Sequence, residues 1–465
     1  MYPFVQLGKS IQVNGEEIEI LYPVGVPTVE VFDEPSYPCN LHWRNPLEPC
    51  SCSYTVKLLN INKKLVGYPL VMTQPADPHA YLANFFGIIC VDVTPPNNLY
   101  HPVLPTFNKK EGKCLFSLDP IVKQCFTSVE LSVAVRAGYC ITKIYRADRY
   151  KAQGSLWRGL LSEIYKLKLY NSQSAEPNSR NIFNETKEEW QQRQKQEYHD
   201  KFNLDLDFND WASRPAAKMT GKILMNSGWG KHAESVDHNK VKIISNIDAQ
   251  GVWNFCESVE KRQSVVSSFT SVSDSRMMFR YAEARNGRSI VYPDLHKGYL
   301  PCAVFVPMYG RLMLWNELNQ LGERVIMCDT DSVKYVADPS PEAYTIKPGD
   351  TLGDWELEDG DIEEFIAIGP KSYGCRYANG KKTFKCKGIS IRRAHEDLIN
   401  FDVAKRILLE GEKIKIPQQT VDYIPGDGLF FRKFLKALQF HPRYLKGVYD
   451  PVTTQLYPFG YTRST

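Results

Sequence analysis

Twelve cysteines are scattered through this 465-residue chain without a single Cys-x-x-Cys pair, so neither a zinc ribbon nor a redox dithiol is written into it. The nearest approach to a cluster is Cys50-Ser51-Cys52 with Cys39, and thiols so dispersed read as reduced cysteines of an intracellular protein. A secretory leader is missing too, since MYPFVQLGK does not run from basic to apolar. Nor is there an unbroken apolar run of bilayer length: the longest, GYLPCAVFVPMYGRLMLW, is interrupted by Pro301, Pro307 and Arg311. Charge of one sign is scarce, because 57 Lys and Arg against 53 Asp and Glu leave a net +4. That balance permits a nucleic-acid partner without arguing for one, and local clustering has to decide. No internal repeat is visible. A soluble, intracellular chain with no membrane partner is expected, and its length implies two to four lobes.

Regular structure becomes legible past residue 84. FFGIICVDV reads as a buried strand closed by Pro95-Pro96. Thr127 to Glu130 has the spacing of a capping box, opening a short helix that Gly138 ends before a strand at YCITKIY. Leu156, Leu160, Leu161, Ile164 and Leu167 fall at the spacing of one helical face. The charged TKEEWQQRQKQEYHDKF predicts an exposed helix, and a further helix is predicted from Arg214 to Asn226. Together these suggest a projecting helical hairpin. Residues 251–294 look like strands with loops. Pro307 could open a helix that Gly322 stops, directly before a β-hairpin with Asp-Thr-Asp at its tip. Residues 31–78 give no confident element.

Two constellations carry chemistry. The first is MCDTDSV, 327–333. Taken as strand residues, Asp329 and Asp331 would face the same way, and two carboxylates so close repel unless a cation lies between them. Oxygen-only ligands favour magnesium or manganese. Alone the pair proves little, because Asp205/Asp207 and Asp359/Asp361 repeat the pattern and such triplets are usually polar turns. The second is RPAAKMTGKILMNSGWGK, 214–231. There Arg214, Lys218 and Lys222 recur every four residues with Asn226 continuing the row, which stacks cations on one helix face. Gly228-Trp229-Gly230 follows, expected to stop the helix and offer a flat ring to a sugar or base. Three cations alone would be a solvated stripe, and Trp229 alone could equally be core. Together they read as a nucleotide site. The acidic run GDWELEDGDIEEF, 353–365, reads as exposed loop.

Lys222-x-x-x-Asn226-Ser227-x-Trp229-Gly230 resembles the second polymerase motif of family B DNA polymerases, Lys-x-x-x-Asn-Ser-x-Tyr-Gly, with Trp for the usual Tyr. MCDTDS resembles the third, Tyr-x-Asp-Thr-Asp-Ser, with Met327 at the Tyr position, and GPKSYGC resembles the Lys-x-Tyr motif downstream. Order and spacing agree. The likeness is nearest to the protein-primed subgroup of adenoviruses, linear plasmids and Maverick-type transposons, through FFGIICVDVTPPNNLYHPVLP, GRLMLW, KCKGI and the closing LYPFGYT. It spans most of 84–465.

The resemblance implies an α+β fold: a polymerase right hand with a palm sheet backed by helices, a helical fingers hairpin and a C-terminal thumb. Residues 1–150 would be the first part of the palm, with a Cys- and Pro-rich insertion near 31–78. The fingers would take 151–232, the palm with its Asp-Thr-Asp hairpin 233–375, and the thumb 376–465. It also implies attack of a primer 3′-hydroxyl on the α-phosphate of a deoxynucleoside triphosphate, assisted by Mg2+ or Mn2+ held by Asp331 and Asp329. Lys222, Lys218 and Arg214 would neutralise the triphosphate, with Asn226 beside them. Tyr2 would lie beneath the sugar and Trp229 frame the same pocket. Lys371 and Tyr373 would hold the primer–template, and Lys385 and Lys387, otherwise a solvated hairpin, would touch its backbone. A terminal protein is the implied primer-bearing partner.

The family's first motif, Asp-x-x-Ser-Leu-Tyr-Pro, overlaps Met1-Tyr2-Pro3-Phe4 only at its end, which puts its aspartate five residues before Tyr2 and leads to the expectation of a chain shortened at its start, without the exonuclease domain. Asp92 in DVTPPNNLY is a poor substitute, since its spacing to Tyr100 is eight rather than five. Two further readings stand beside the polymerase: an inactive relic that still binds DNA or nucleotide, and a nucleotide-sugar transferase with an Asp-x-Asp metal site. The last leaves the basic stripe unexplained.

Overall fold

The structure is a computed structural model that describes residues 2–32, 58–59, 65–67, 70–108, 113–154, 156–172, 175–177, 183–233, 240–245, 249–261, 265–273, 276–282, 299–358, 360–369, 371–389, 397–424, 428–440, 446–453 and 455–462. Most of residues 31–78 lies outside them. Helices and strands are mixed throughout, an α+β architecture in two compact units. One comprises Met1–Glu234, His296–Leu357 and Tyr444–Thr465, the other Ser235–Leu295 and Glu358–Arg443.

At the centre of the first unit a five-stranded sheet runs in the order Ile121–Thr127, Gly87–Thr94, Cys140–Gly154, Leu21–Phe32, Leu70–Met72. The neighbours are antiparallel except for the last pair. Gly87–Thr94 alternates buried and half-buried residues to its end, so Ile89, Val91 and Val93 supply one core-facing row. The capping box is present: Thr127 N–H donates to Glu130 Oε1 at 2.8 Å and Glu130 N–H to Thr127 Oγ1 at 3.2 Å, opening the helix Ser128–Arg136. Glu130 is also bound by Arg311 Nη2 at 2.8 Å, which ties this helix to the long one, Leu300–Leu321.

That long helix begins earlier than expected. Pro301 occupies its first turn, where a missing N–H costs nothing, and Pro307 sits inside it. Burial outweighs the interior proline: Phe305, Val306, Met308, Tyr309, Leu312 and Trp315 all enter the same core. Tyr309 Oη accepts from Leu21 N–H at 2.9 Å and Trp315 Nε1 donates to the His101 carbonyl at 2.8 Å, pinning the helix to the sheet.

A second core joins the helices Arg158–Tyr170, Lys187–Phe202 and Pro215–Gly230. Its stripe on the first of these is Leu161 and Tyr165; Leu160, assigned to that face by spacing, is 68% exposed. Lys187–Phe202 is not exposed all round, because Trp190, Gln194, Tyr198 and Phe202 recur every fourth residue and are buried. The loop after the hairpin braces it. Asp350 accepts from Trp190 Nε1 at 2.9 Å, Arg193 Nη1 at 2.9 Å and Gln194 Nε2 at 3.0 Å. The closing residues return to this unit, with Leu118 N–H on the Phe459 carbonyl at 2.7 Å.

In the second unit the stretch expected as strands and loops opens instead with a helix, Ala249–Lys261, whose Phe255 packs on Phe279 of the strand Arg276–Ala282. A three-stranded sheet, Ile362–Gly369, Ser372–Tyr377 and Lys382–Cys386, shares a core with the helix Phe401–Glu410. Asn400 caps that helix and Gly411, at φ 70°, ends it.

Candidate nucleotide and metal site

Strand pairing brings Val325–Cys328 against Val333–Tyr335, so the hairpin forms where the sequence places it. The aspartates, however, belong to its turn. Asp331 and Ser332 N–H both donate to the Asp329 carbonyl, at 2.7 and 3.2 Å, and Asp329 N–H donates to the Ser332 carbonyl at 2.9 Å. Strand alternation therefore does not orient the two carboxylates. Between them Thr330 is held at φ 60°, a region β-branched residues avoid at a cost of about 1–3 kcal/mol. Such strain is kept where the position of neighbouring groups matters.

Asp329 is half-buried and Asp331 exposed. A hard cation such as magnesium is commonly held by one or two carboxylates, its remaining positions filled by substrate phosphates and water. The hairpin tip carries two carboxylates, and among the described residues no group of three or more His, Cys, Asp or Glu side chains is placed to hold a metal ion. Asp92 is engaged elsewhere. It accepts from Lys123 N–H at 2.7 Å and Tyr145 Oη at 2.9 Å, on the five-stranded sheet.

The basic stripe rides on Pro215–Gly230, with Lys218, Lys222 and Asn226 exposed. Arg214 precedes the helix as its cap and is already committed, donating to Asn171 Oδ1 and Asp210 Oδ1 at 3.0 Å each. The helix does not stop at Asn226. It continues through Gly228-Trp229-Gly230, and half-buried Trp229 packs against the sheet core. Burial of one face of the indole compensates for two poor helix formers.

Sequence reasoning missed a third lysine. A Cβ on Gly221 would lie 2.9 Å from Lys168 backbone N and Cβ, so the helices Pro215–Gly230 and Arg158–Tyr170 touch backbone to backbone there. That contact sets Lys168 beside Lys218 and Lys222. Burial, with the two neighbouring ammonium groups, pulls its pKa below the ordinary lysine value. Among the described residues none of the three is paired with a carboxylate. Only the packing of two helices reveals the cluster; the nearest signal in sequence is a glycine in mid-helix.

Tyr2 begins the short helix Tyr2–Leu7. Gln6, 1% exposed, donates from Nε2 to the Met225 carbonyl at 3.3 Å, which seats this helix on the lysine-bearing one. Lys371, Tyr373, Lys385 and Lys387 belong to the second unit. Lys371 is exposed at φ 56° in a hairpin turn, and Lys385 and Lys387 are exposed. Tyr373 faces Lys385 across the strands, but its ring is only 8% exposed and lies beside Phe365.

Three solved structures of Phi29 DNA polymerase are similar to this chain: complexed with primer-template DNA (15% identity, TM-score 0.47), with primer-template DNA and incoming nucleotide substrates (14%, 0.49) and with single-stranded DNA (13%, 0.48). They cover 94–95% of this chain, which spans 56% of their length. No curated protein matches. Residues 67–183 match the family described as DNA polymerase type B, organellar and viral. Those residues run from the sheet into the first helix of the lysine cluster, and over them the chain is similar to that family.

Proposed function

We propose that this chain is the polymerase portion of a protein-primed type B DNA polymerase of a mobile or virus-like element, catalysing template-directed deoxynucleotidyl transfer. The observation that carries the reading is continuity. The family match ends beyond the helix Arg158–Tyr170, and the partner of that helix bears Lys222-x-x-x-Asn226-Ser227-x-Trp229-Gly230 with three gathered lysines. An unpaired lysine cluster of this kind suits a triphosphate.

In this reading Lys222, Lys218 and Lys168 hold the phosphates, while Asn226, Tyr2 and Trp229 frame the nucleoside. Arg214 orients the helix entry rather than the phosphates. Asp331 and Asp329 would hold the magnesium or manganese ion, which when bound supplies positive charge to phosphate oxygens. Lys371, Lys385 and Lys387 contact the primer–template, and buried Tyr373 supports the strand carrying the turn. Palm, fingers and thumb are assigned to 1–150 with 233–375, to 151–232, and to 376–465. A terminal protein is the primer-bearing partner.

A second reading, an inactive relative that retains DNA or nucleotide binding, is favoured by the engagement of Asp92 with Lys123 and Tyr145. Primer extension by the purified chain with Mg2+ or Mn2+ separates the two. Incorporation abolished by Asp331→Ala supports the polymerase. Triphosphate binding lost in Lys222→Ala, without any incorporation by the unaltered chain, supports the inactive relative. Lack of both activities refutes each.

A further inference from the structure

Cys90 and Cys125 face each other across the antiparallel strands Gly87–Thr94 and Ile121–Thr127, as register partners. Directly opposed residues share one face of a sheet, and their Cα atoms lie roughly 4.5–5.5 Å apart, inside the range a disulfide spans. The face is the outer one, because Ile89 and Val91 on either side of Cys90 are buried inward. Cys125 is exposed and Cys90 half-buried, and both are free thiols. On the other side of Cys90, Arg146 is its register partner and forms an ion pair with Asp148 at 2.7 Å.

The two thiols are not equivalent. The neighbouring Cys90 thiol first, with Arg146 helping against partial burial and Asp148, brings Cys125 down to about 7. The Cys125 thiol in turn raises Cys90, with burial adding to the effect. One sulfur is thus poised to attack and the other to resolve, an asymmetry characteristic of exchange-competent pairs.

We propose that Cys90 and Cys125 form a reversible cross-strand disulfide, a modification site on the outer face of the sheet that takes low-molecular-weight disulfides as oxidant. In the first step the Cys125 thiolate attacks one sulfur of oxidised glutathione. The S–S bond breaks, and the departing glutathione thiolate takes a proton from solvent. In the second, Cys90 loses its proton to solvent and attacks Cys125 Sγ, expelling the second glutathione. Two protein thiols are oxidised and one glutathione disulfide is reduced to two thiols. The product staples the edge strand Ile121–Thr127 to its neighbour.

The test is peptide mapping of the full native chain after incubation in oxidised glutathione, acid quench and alkylation. The expected result is a cross-linked pair of peptides containing Cys90 and Cys125, lighter by two hydrogens and restored by dithiothreitol. In Cys90→Ser the reaction should stop with glutathione on Cys125. Before oxidation Cys125 should alkylate about tenfold faster than exposed Cys140 at neutral pH, and more slowly in Cys90→Ser. A mixed disulfide that persists on Cys125 in the unaltered chain would overturn the proposal. So would alkylation of Cys125 no faster than that of Cys140.

Discussion

Lys168 holds its charge at a disadvantage. Desolvation and two like charges oppose it in the free protein, and in the proposed site the triphosphate supplies what the fold withholds. Replacing it by methionine keeps the aliphatic stem and removes the charge. Lys168→Met should therefore leave stability unchanged or raise it slightly, by less than about 1 kcal/mol, while triphosphate affinity falls roughly tenfold. Urea denaturation and nucleotide titration of the same preparation read both. A variant both less stable and undiminished in affinity would refute the assignment. Gly221 argues the same geometry from the other helix. Mid-helix glycine costs about 1 kcal/mol against alanine, yet a methyl group there would press on Lys168 backbone atoms at 2.9–3.0 Å. Overpacking of about 1–3 kcal/mol outweighs the propensity gain, so Gly221→Ala should lower the denaturation midpoint rather than raise it. This lysine was illegible in the sequence because its role arises from a helix contact. Lys218 and Lys222, by contrast, are marked by spacing along one helix.

Among the elements, Lys187–Phe202 shows how sequence can name a helix and mistake its surroundings. Its charges are plain, but Trp190, Gln194, Tyr198 and Phe202 form a single row, and a row with one glutamine and three aromatics does not stand out in a charged segment. Its brace, Asp350, comes from a distant acidic loop. Burial alone would raise the Asp350 pKa, but hydrogen bonds from Arg193 and Trp190 outweigh it and hold the carboxyl below the usual range. The folded pKa being the lower one, the stabilisation is fully present above the unfolded value near 4. It is lost as pH falls through the folded pKa. Asp350→Ala should destabilise the unit by about 1–3 kcal/mol at neutral pH, since the Trp190 N–H loses its buried partner while Arg193 keeps Glu185 and Glu197. The difference between variant and parent in denaturant midpoint should then shrink as pH is lowered below about 4. A pH-independent difference would assign the loss to packing. The hairpin illustrates a different limit. Helix, Gly322, strand, turn and strand follow from local chemistry, as does the capping box at Thr127. The orientation of Asp329 and Asp331 does not, because Thr330 at φ 60° takes them off the strand.

At the scale of the molecule, a net charge of +4 is too small to hold DNA by bulk attraction, so the DNA binding proposed above would have to come from particular lysines. The second unit offers Lys385 and Lys387, exposed on and just beyond an edge strand, Lys382–Cys386, of its three-stranded sheet. Lysines on edge strands also discourage strand pairing between molecules, so exposure alone does not distinguish a DNA contact from a guarded edge. Salt dependence does. Each duplex phosphate neutralised contributes about −0.9 to the slope of log affinity against log salt. Replacing both lysines by alanine should reduce the slope by about 1.8 if each meets a phosphate of primer–template DNA, and weaken binding equally on unrelated sequences. If they only guard the edge, the slope stays fixed and the double variant self-associates instead. Fluorescence anisotropy across a salt series, with sedimentation at one salt concentration, distinguishes the two outcomes. An unchanged slope without self-association would leave neither role for these lysines.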